Sequence, residues 1–277
     1  MNKYLRLFRL NNAIIAAIGV LVACFIAAGY DVGGHAANVA LGCAAVACAV
    51  AGGNALNDYV DREVDKTAHP GRPVPSGEIG PKAARACGYG GFAATILLSA
   101  LTFLADGSAW AVAIAVLAVT LMAAYESVLK QRGFVGNLCI ALLTGLVFVF
   151  GGALVGDFST VWALAVLASL VSIGREIAKD IEDEESDRGS RRTLPMVIGD
   201  RAAAGAAAAF FVAGPLLSFI PLVDETFSIL YATVLAADAI FIYCAGTVFV
   251  DPRRAEKFAK VAMFAALLSF VLGAIQV

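Results

Sequence analysis

Residues Gly52–Gly77 read GGNALNDYVDREVDKTAHPGRPVPSG, and this stretch decides the architecture. The apolar run Ala37–Leu56 leads into it, and about 20 apolar residues are what a hydrocarbon core requires of a helix. Acids then follow at helical intervals. Asn54, Asp58, Asp61 and Asp65 stand at i, i+4, i+7 and i+11, and Asn57, Asp61 and Asp65 at i, i+4 and i+8. On a helix each set shares one face. Gly71, Pro73, Pro75, Ser76 and Gly77 then make a rigid turn-rich loop, and its place beside the acids suggests a lid.

A second stretch repeats the pattern. Residues Gly174–Pro195 read GREIAKDIEDEESDRGSRRTLP. Glu176, Asp180, Asp183 and Asp187 lie 122 residues after their counterparts (54 to 176, 58 to 180, 61 to 183, 65 to 187). Each cluster is followed by Arg-x-x-Pro, at Arg72–Pro75 and at Arg192–Pro195. This is the mark of an internal repeat.

Outward from the two stretches the chain is apolar. Of its 277 residues 60% are hydrophobic, against about 45–50% in soluble domains. Mean hydropathy is +0.83. The expected spans are Asn12–Gly29, Ala37–Leu56, Ala84–Leu104, Ser108–Tyr125, Val135–Val155, Thr160–Ile177, Ala202–Leu222, Phe227–Val250 and Phe258–Ile275. The expected fold is therefore all-α, a polytopic bundle of about nine transmembrane helices in one domain spanning 1–277. Its repeat halves fall at roughly 12–125 and 135–250, with a ninth helix at 258–275. Four spans separate the acid clusters, so the repeat is parallel and both clusters can meet over one cavity. The basic start and apolar stretch of Met1–Gly29 have the outline of a signal peptide, but the stretch is long for one and further spans follow.

The 20 basic residues all fall on one face of this arrangement, while the other carries Asp31, His35, Asp106, Asp157, Asp224 and Glu225. Positive charge marks the cytoplasmic side. The N-terminus and the charged cap loops are thus expected in the cytoplasm and Val277 outside. The six cysteines sit almost entirely in apolar runs without a C-x-x-C, as small hydrophobes rather than disulfide partners. Two histidines are too few for a histidine metal site.

Stacked carboxylates repel each other by a few tenths of a kcal/mol per i,i+4 pair. A hard divalent cation removes that repulsion. Mg²⁺ takes oxygen ligands and prefers a few carboxylates together with substrate phosphates, so two acid helix ends with Arg and Lys nearby suit a Mg²⁺–diphosphate complex. Tyr125 and Lys130 close the fourth span and Arg9 opens the first; each cation could hold phosphate or anchor the interface. Glu182, Glu184 and Glu185 read as a solvated charge run. Asp238 stands alone inside the eighth span, where an acid is either functional or a buried hydrogen-bonding group.

NDYVDREVD at Asn57–Asp65, followed by RPVPSG at Arg72–Gly77, resembles the first motif of the UbiA superfamily of membrane prenyltransferases. The acids of Asp180–Asp187 resemble its second motif, and the likeness covers essentially the whole chain. Within the superfamily, GREIAKDIEDEESD followed by TLP is most similar to the branch that makes archaeal ether lipids. The resemblance implies a helical bundle with a central cavity opening sideways to lipid. For that branch it implies Mg²⁺-dependent transfer of a geranylgeranyl group from geranylgeranyl diphosphate to the free hydroxyl of (S)-3-O-geranylgeranylglyceryl phosphate. The partners are then a prenyl diphosphate, a lipid-phosphate acceptor and membrane lipid, with no nucleic acid and no obligate protein.

Carried onto this chain, Asn57, Asp58, Asp61, Asp65, Asp180, Asp183 and Asp187 are the implied Mg²⁺ and diphosphate ligands. Asp61, Asp65, Asp183 and Asp187 are the implied catalytic set. Arg9, Asn54, Lys66, Arg72, Tyr125, Lys130, Arg175, Lys179 and Arg192 are the candidates for substrate binding. Glu184 and Glu185 add acid where the family pattern has less. An aromatic-ring polyprenyltransferase of quinone-type biosynthesis is the alternative enzyme. A secondary transporter would bind its substrate near the midplane, whereas these acids lie at the membrane edge.

Overall fold

A computed structural model describes residues 2–106, 109–189 and 191–275. The expected span boundary at Ser108 and the expected outer terminus at Val277 lie outside the described residues. Thirteen α-helices follow in order: α1 (Lys3–Leu7), α2 (Leu10–Ala28), α3 (Ala36–Val60), α4 (Asp65–Ala68), α5 (Pro81–Asp106), α6 (Trp110–Ser127), α7 (Phe134–Val155), α8 (Val161–Glu182), α9 (Glu184–Asp187), α10 (Leu194–Ile198), α11 (Asp200–Val223), α12 (Val234–Thr247) and α13 (Pro252–Gly273). No strand occurs among the described residues, as expected where lipid offers backbone groups no partner.

Seven stretches among the described residues are long and apolar enough to cross a membrane. The first, Leu10–Val60, holds two helices, because the 3₁₀ segment Gly29–His35 turns the chain between α2 and α3. The helix α13 has 22 residues but opens with Arg253, Arg254, Glu256, Lys257 and Lys260. The eighth expected span is not one α-helix. A 3₁₀ segment, Ile229–Thr233, precedes a 14-residue α12.

Small residues let the helices close on one another. A Cβ on Gly52 of α3 would meet the Gly88 carbonyl oxygen of α5 at 2.8 Å, so this crossing excludes any larger residue. Two large apolar cores result among the described residues. In one, Val20, Leu154, Val161 and Phe270 join α2, α7, α8 and α13. In the other, Ile177, Phe211, Cys244 and Ala259 join α8, α11, α12 and α13.

The loop after α4 is tied down. Val74 and Ile79 pack with Leu7, Ala55 and Ala84. Lys3 Nζ donates to the Glu78 carbonyl at 3.1 Å, and Arg6 pairs with the Glu78 carboxylate. The N-terminal helix α1 and this loop therefore form one cap over the acid-bearing end of α3. Asp238 is buried in the wall of an apolar cavity and accepts from the Ser218 hydroxyl at 2.7 Å.

Candidate active site

The acids do not continue along unbroken helices. Both long helices stop at an aspartate: Asp61 is the C-cap of α3 and Asp183 the C-cap of α8. One-turn helices follow, α4 beginning at Asp65 and α9 ending at Asp187. The helical phase nevertheless survives the break. Asp61 N–H donates to Asn57 O at 2.9 Å and Asp65 N–H to Asp61 O at 2.8 Å. Asp183 N–H donates to Lys179 O and Asp187 N–H to Asp183 O, both at 2.9 Å. Asp61 and Asp183 thus add full negative charge to helix ends that already carry partial negative charge.

The first cluster is wired to the start of the chain. Arg9 holds φ +46°, a left-handed backbone uncommon outside glycine, and caps α2. Its Nη2 donates to Asn57 Oδ1 at 3.1 Å and to Asp58 Oδ1 at 3.0 Å. Arg72 pairs with Asp65 and approaches Asp58 at 3.8 Å. Asp58 is only 2% exposed, so its charge is met from both sides by Arg9 and Arg72. Asn54 Nδ2 donates to the Phe8 carbonyl at 3.2 Å, fixing the turn that delivers Arg9.

Lys130 stands between the clusters. Its Nζ lies 2.6 Å from Asp61 Oδ1 and 2.9 Å from Glu126 Oε2. Asn57 Nδ2 bridges the same two carboxylates, at 2.8 Å to Asp61 and 3.2 Å to Glu126. Lys130 also lines a polar cleft of about 20 Å³ with Tyr125, Asn137, Glu176, Lys179, Asp180 and Arg191. In that cleft Asn137 Nδ2 donates to Asp180 Oδ2 at 2.9 Å. Arg191 Nε meets Asp187 Oδ2 at 2.8 Å. Burial pulls the Arg191 guanidinium down, but the hydrogen bond and charge of Asp187 more than offset it and raise its pKa.

The second loop is pinned by backbone. Arg132 and Arg192 form a parallel bridge. Gly133, at φ +55°, makes room for it, since a Cβ there would lie 3.0 Å from the Arg192 carbonyl oxygen.

Two of the expected substrate residues pair with acids outside the implied metal ligands. Lys66 is exposed and donates to Glu63 at 2.7 Å, a bond that holds the Glu63 carboxyl below its ordinary range. Arg175 pairs with Glu176 and, at 3.2 Å, with Glu256 of α13, and it lines the apolar cavity of about 270 Å³ between α7, α8, α11, α12 and α13. Arg192 is exposed. The sequence reading left Glu126 and Asn137 out of the site, and took Arg191 only as one of several surplus cations. For Glu126 and Lys130 the i,i+4 spacing within YESVLK was the available signal.

Among the described residues no three His, Cys, Asp or Glu side chains converge on a metal-holding point, because Asp58, Asp61, Asp65 and Asp187 are turned to Arg or Lys. The donor set nonetheless fits a hard cation. All its ligating atoms are oxygens, and they cluster at two helix C-termini.

A helical bundle with an apolar cavity beside a charged cleft has a place for a molecule that joins an apolar tail to an anionic head. Residues 16–268 match the UbiA prenyltransferase family, and the chain belongs to it. The digeranylgeranylglyceryl phosphate synthase of Methanosphaera stadtmanae is 36% identical over 284 residues, covering 99% of this chain and all of that protein. A solved structure described as a digeranylgeranylglyceryl phosphate synthase in membranes superposes with a TM-score of 0.85 at 30% identity, covering 99% of this chain and 98% of that one. A UbiA homologue from Archaeoglobus fulgidus bound to GPP and Mg²⁺ shares the fold, with a TM-score of 0.72 at 17% identity over 97% of this chain and 98% of that one.

Proposed function

We propose that this prenyltransferase passes a geranylgeranyl group from geranylgeranyl diphosphate to the free hydroxyl of (S)-3-O-geranylgeranylglyceryl phosphate, releasing diphosphate. The carrying observation is Lys130, seated on Asp61 and facing Asp180 and Arg191 across one cleft. That arrangement suits a diphosphate held between two acid-capped helices. The full-length likeness to digeranylgeranylglyceryl phosphate synthases supports the choice of substrates.

Mg²⁺ would be held by Asp61, Asp65, Asp183 and Asp187, with Asn57 as a neutral oxygen donor. Asp58 and Asp180, fixed by Arg9 and Asn137, would support the ligands from behind. Bound there, the cation would offset charge on the departing diphosphate. Lys130 and Arg191 would add fixed positive charge at the same place. Phe148, Leu164, Val171, Phe241 and Leu267 line the apolar cavity, which would take an isoprenoid chain and keep water from the reacting carbon. Arg9, Lys130, Arg175 and Arg191 are already paired with acids. This leaves the exposed Lys179 and Arg192 to meet the acceptor phosphate.

In this reading two similar halves, roughly 12–125 and 135–250, bring the clusters together, and the helix at 258–275 closes the second. The cap loops and N-terminus face the cytoplasm and the C-terminus lies outside. The deciding experiment supplies purified protein, Mg²⁺ and geranylgeranyl diphosphate with each acceptor in turn, and reads the product mass. Transfer to the glyceryl phosphate ether is expected. Transfer to 4-hydroxybenzoate alone would move the chain to the quinone-type enzymes.

A further inference from the structure

Glu126 belongs to neither acid motif, yet it is buried beside the first. It sits in the last turn of α6, and its Oε2 accepts from Lys130 Nζ at 2.9 Å and from Asn57 Nδ2 at 3.2 Å. The same two donors hold the two oxygens of Asp61, at 2.6 and 2.8 Å. The four side chains form a closed ring in which two carboxylates share one ammonium and one amide. The neighbouring charge is Arg9, whose Nη2 meets Asn57 Oδ1 at 3.1 Å.

The sharing has a consequence for Asp61. A lysine divided between two carboxylates neutralises neither fully. Glu126 therefore draws part of the Lys130 charge away from Asp61 and leaves that carboxylate able to accept a second cation. It also keeps Lys130 and Asn57 oriented when Asp61 turns to another partner. We propose that Glu126 is a positioning residue that tunes the affinity of Asp61 for a divalent cation by competing with it for Lys130. This rests on the reading of Asp61 as a metal ligand.

Glu126→Gln keeps the acceptor oxygen and the shape but removes the charge. Lys130 then belongs to Asp61 alone, and a metal must displace it. Mn²⁺ binding to the purified protein in detergent, followed by loss of the free-ion EPR signal without substrate, reads this directly. Glu126→Gln should weaken binding about 5–10-fold, a free-energy change of about 1–1.4 kcal/mol. Glu126→Asp should recover most of the loss. The double variant Glu126→Gln/Lys130→Met should bind more tightly than Glu126→Gln alone, since the competitor is gone.

A Glu126→Gln affinity within twofold of wild type would overturn the proposal. So would a Glu126→Gln change that weakens binding as much in a Lys130→Met background as in wild type, since Glu126 would then not act through Lys130. Wild-type protein that binds no Mn²⁺ would overturn the metal reading itself, and the positioning role with it.

Discussion

Arg191 closes on Asp187 at 2.8 Å, while its neighbour Arg192 is exposed and engaged through its backbone to Arg132. The first half does the same work with Arg72 on Asp65, seven residues downstream rather than four. Asp187 is 7% exposed, so its charge depends on what the fold supplies.

Arg191→Ala should therefore cost far more than Arg192→Ala. It removes a charge-assisted bond to a buried carboxylate and takes a cation out of the cleft. A fall in kcat/KM of about 10²-fold is expected, the size seen when one transition-state donor is removed. Arg192→Ala should lose less than about tenfold, mostly through KM for the acceptor, as for uniform binding. Equal losses would mean that both arginines face the same phosphate. Diphosphate release at saturating Mg²⁺ measures both.

The spacing of acids carried most of the site. Asp61 and Asp183 lie 122 residues apart (61 to 183) and both cap a long helix, so period and role agreed. The arginine was harder to read. Arg-x-x-Pro pointed to Arg192 by analogy with Arg72. The second loop instead turns early, at Gly189 with φ +88°, and Arg191 N–H donates to Asp187 O at 3.2 Å. That one backbone bond, made after the end of α9, sets Arg191 on Asp187, and the loop motif does not set the pairing. Asn137 was illegible, and Glu126 legible only through its spacing from Lys130, for another reason. A lone polar residue near a span end looks the same in sequence whether it snorkels or anchors a network. Only tertiary placement distinguishes them. The Phe227–Val250 run was legible as apolar but not as a 3₁₀ segment followed by α12, since hydropathy does not encode the hydrogen-bond register.

Topology is open to a direct test. Every Lys and Arg lies toward the end of the bundle that carries the cap loops in the nine-span reading, and Lys130, Arg191 and Arg72 meet acids there. In a functional variant lacking native reactive thiols, cysteines placed at Ser76 and Gly189 should react with an impermeant maleimide only after the membrane is opened from the cytoplasmic side. Cysteines at Asp31 and Asp157 should react in intact cells. Labelling of Asp157→Cys from the cytoplasm would break the even number of crossings between the two acid clusters.

Asp58 and Asp61, three residues apart, should fail in opposite ways. Asp58 is 2% exposed, bonded by Arg9 at 3.0 Å and approached by Arg72 at 3.8 Å. Removing its carboxylate takes the ion pair from Arg9, weakens the setting of Arg72, which keeps Asp65, and opens a void against the cap. A fully buried ion pair broken in this way costs about 3–5 kcal/mol, and the partly exposed arginines, which keep other partners, bring the loss below that range. The Asp61 side chain is 30% exposed and its partner Lys130 keeps Glu126, so Asp61→Ala should cost about 1 kcal/mol or less in stability. Asp61 and Asp183 are nevertheless the carboxylates placed at the two helix ends where the diphosphate is proposed to sit. Thermal unfolding in detergent and diphosphate release per folded molecule separate the cases. Asp58→Ala should melt well below wild type. Asp61→Ala and Asp183→Ala should melt close to wild type and lose about 10²-fold or more in turnover, as when an electrostatic contact to the transition state is removed. A stable but inactive Asp58→Ala, beside an unstable but active Asp61→Ala, would exchange the roles of the two residues: Asp58 would be the ligand and Asp61 the anchor of the cap.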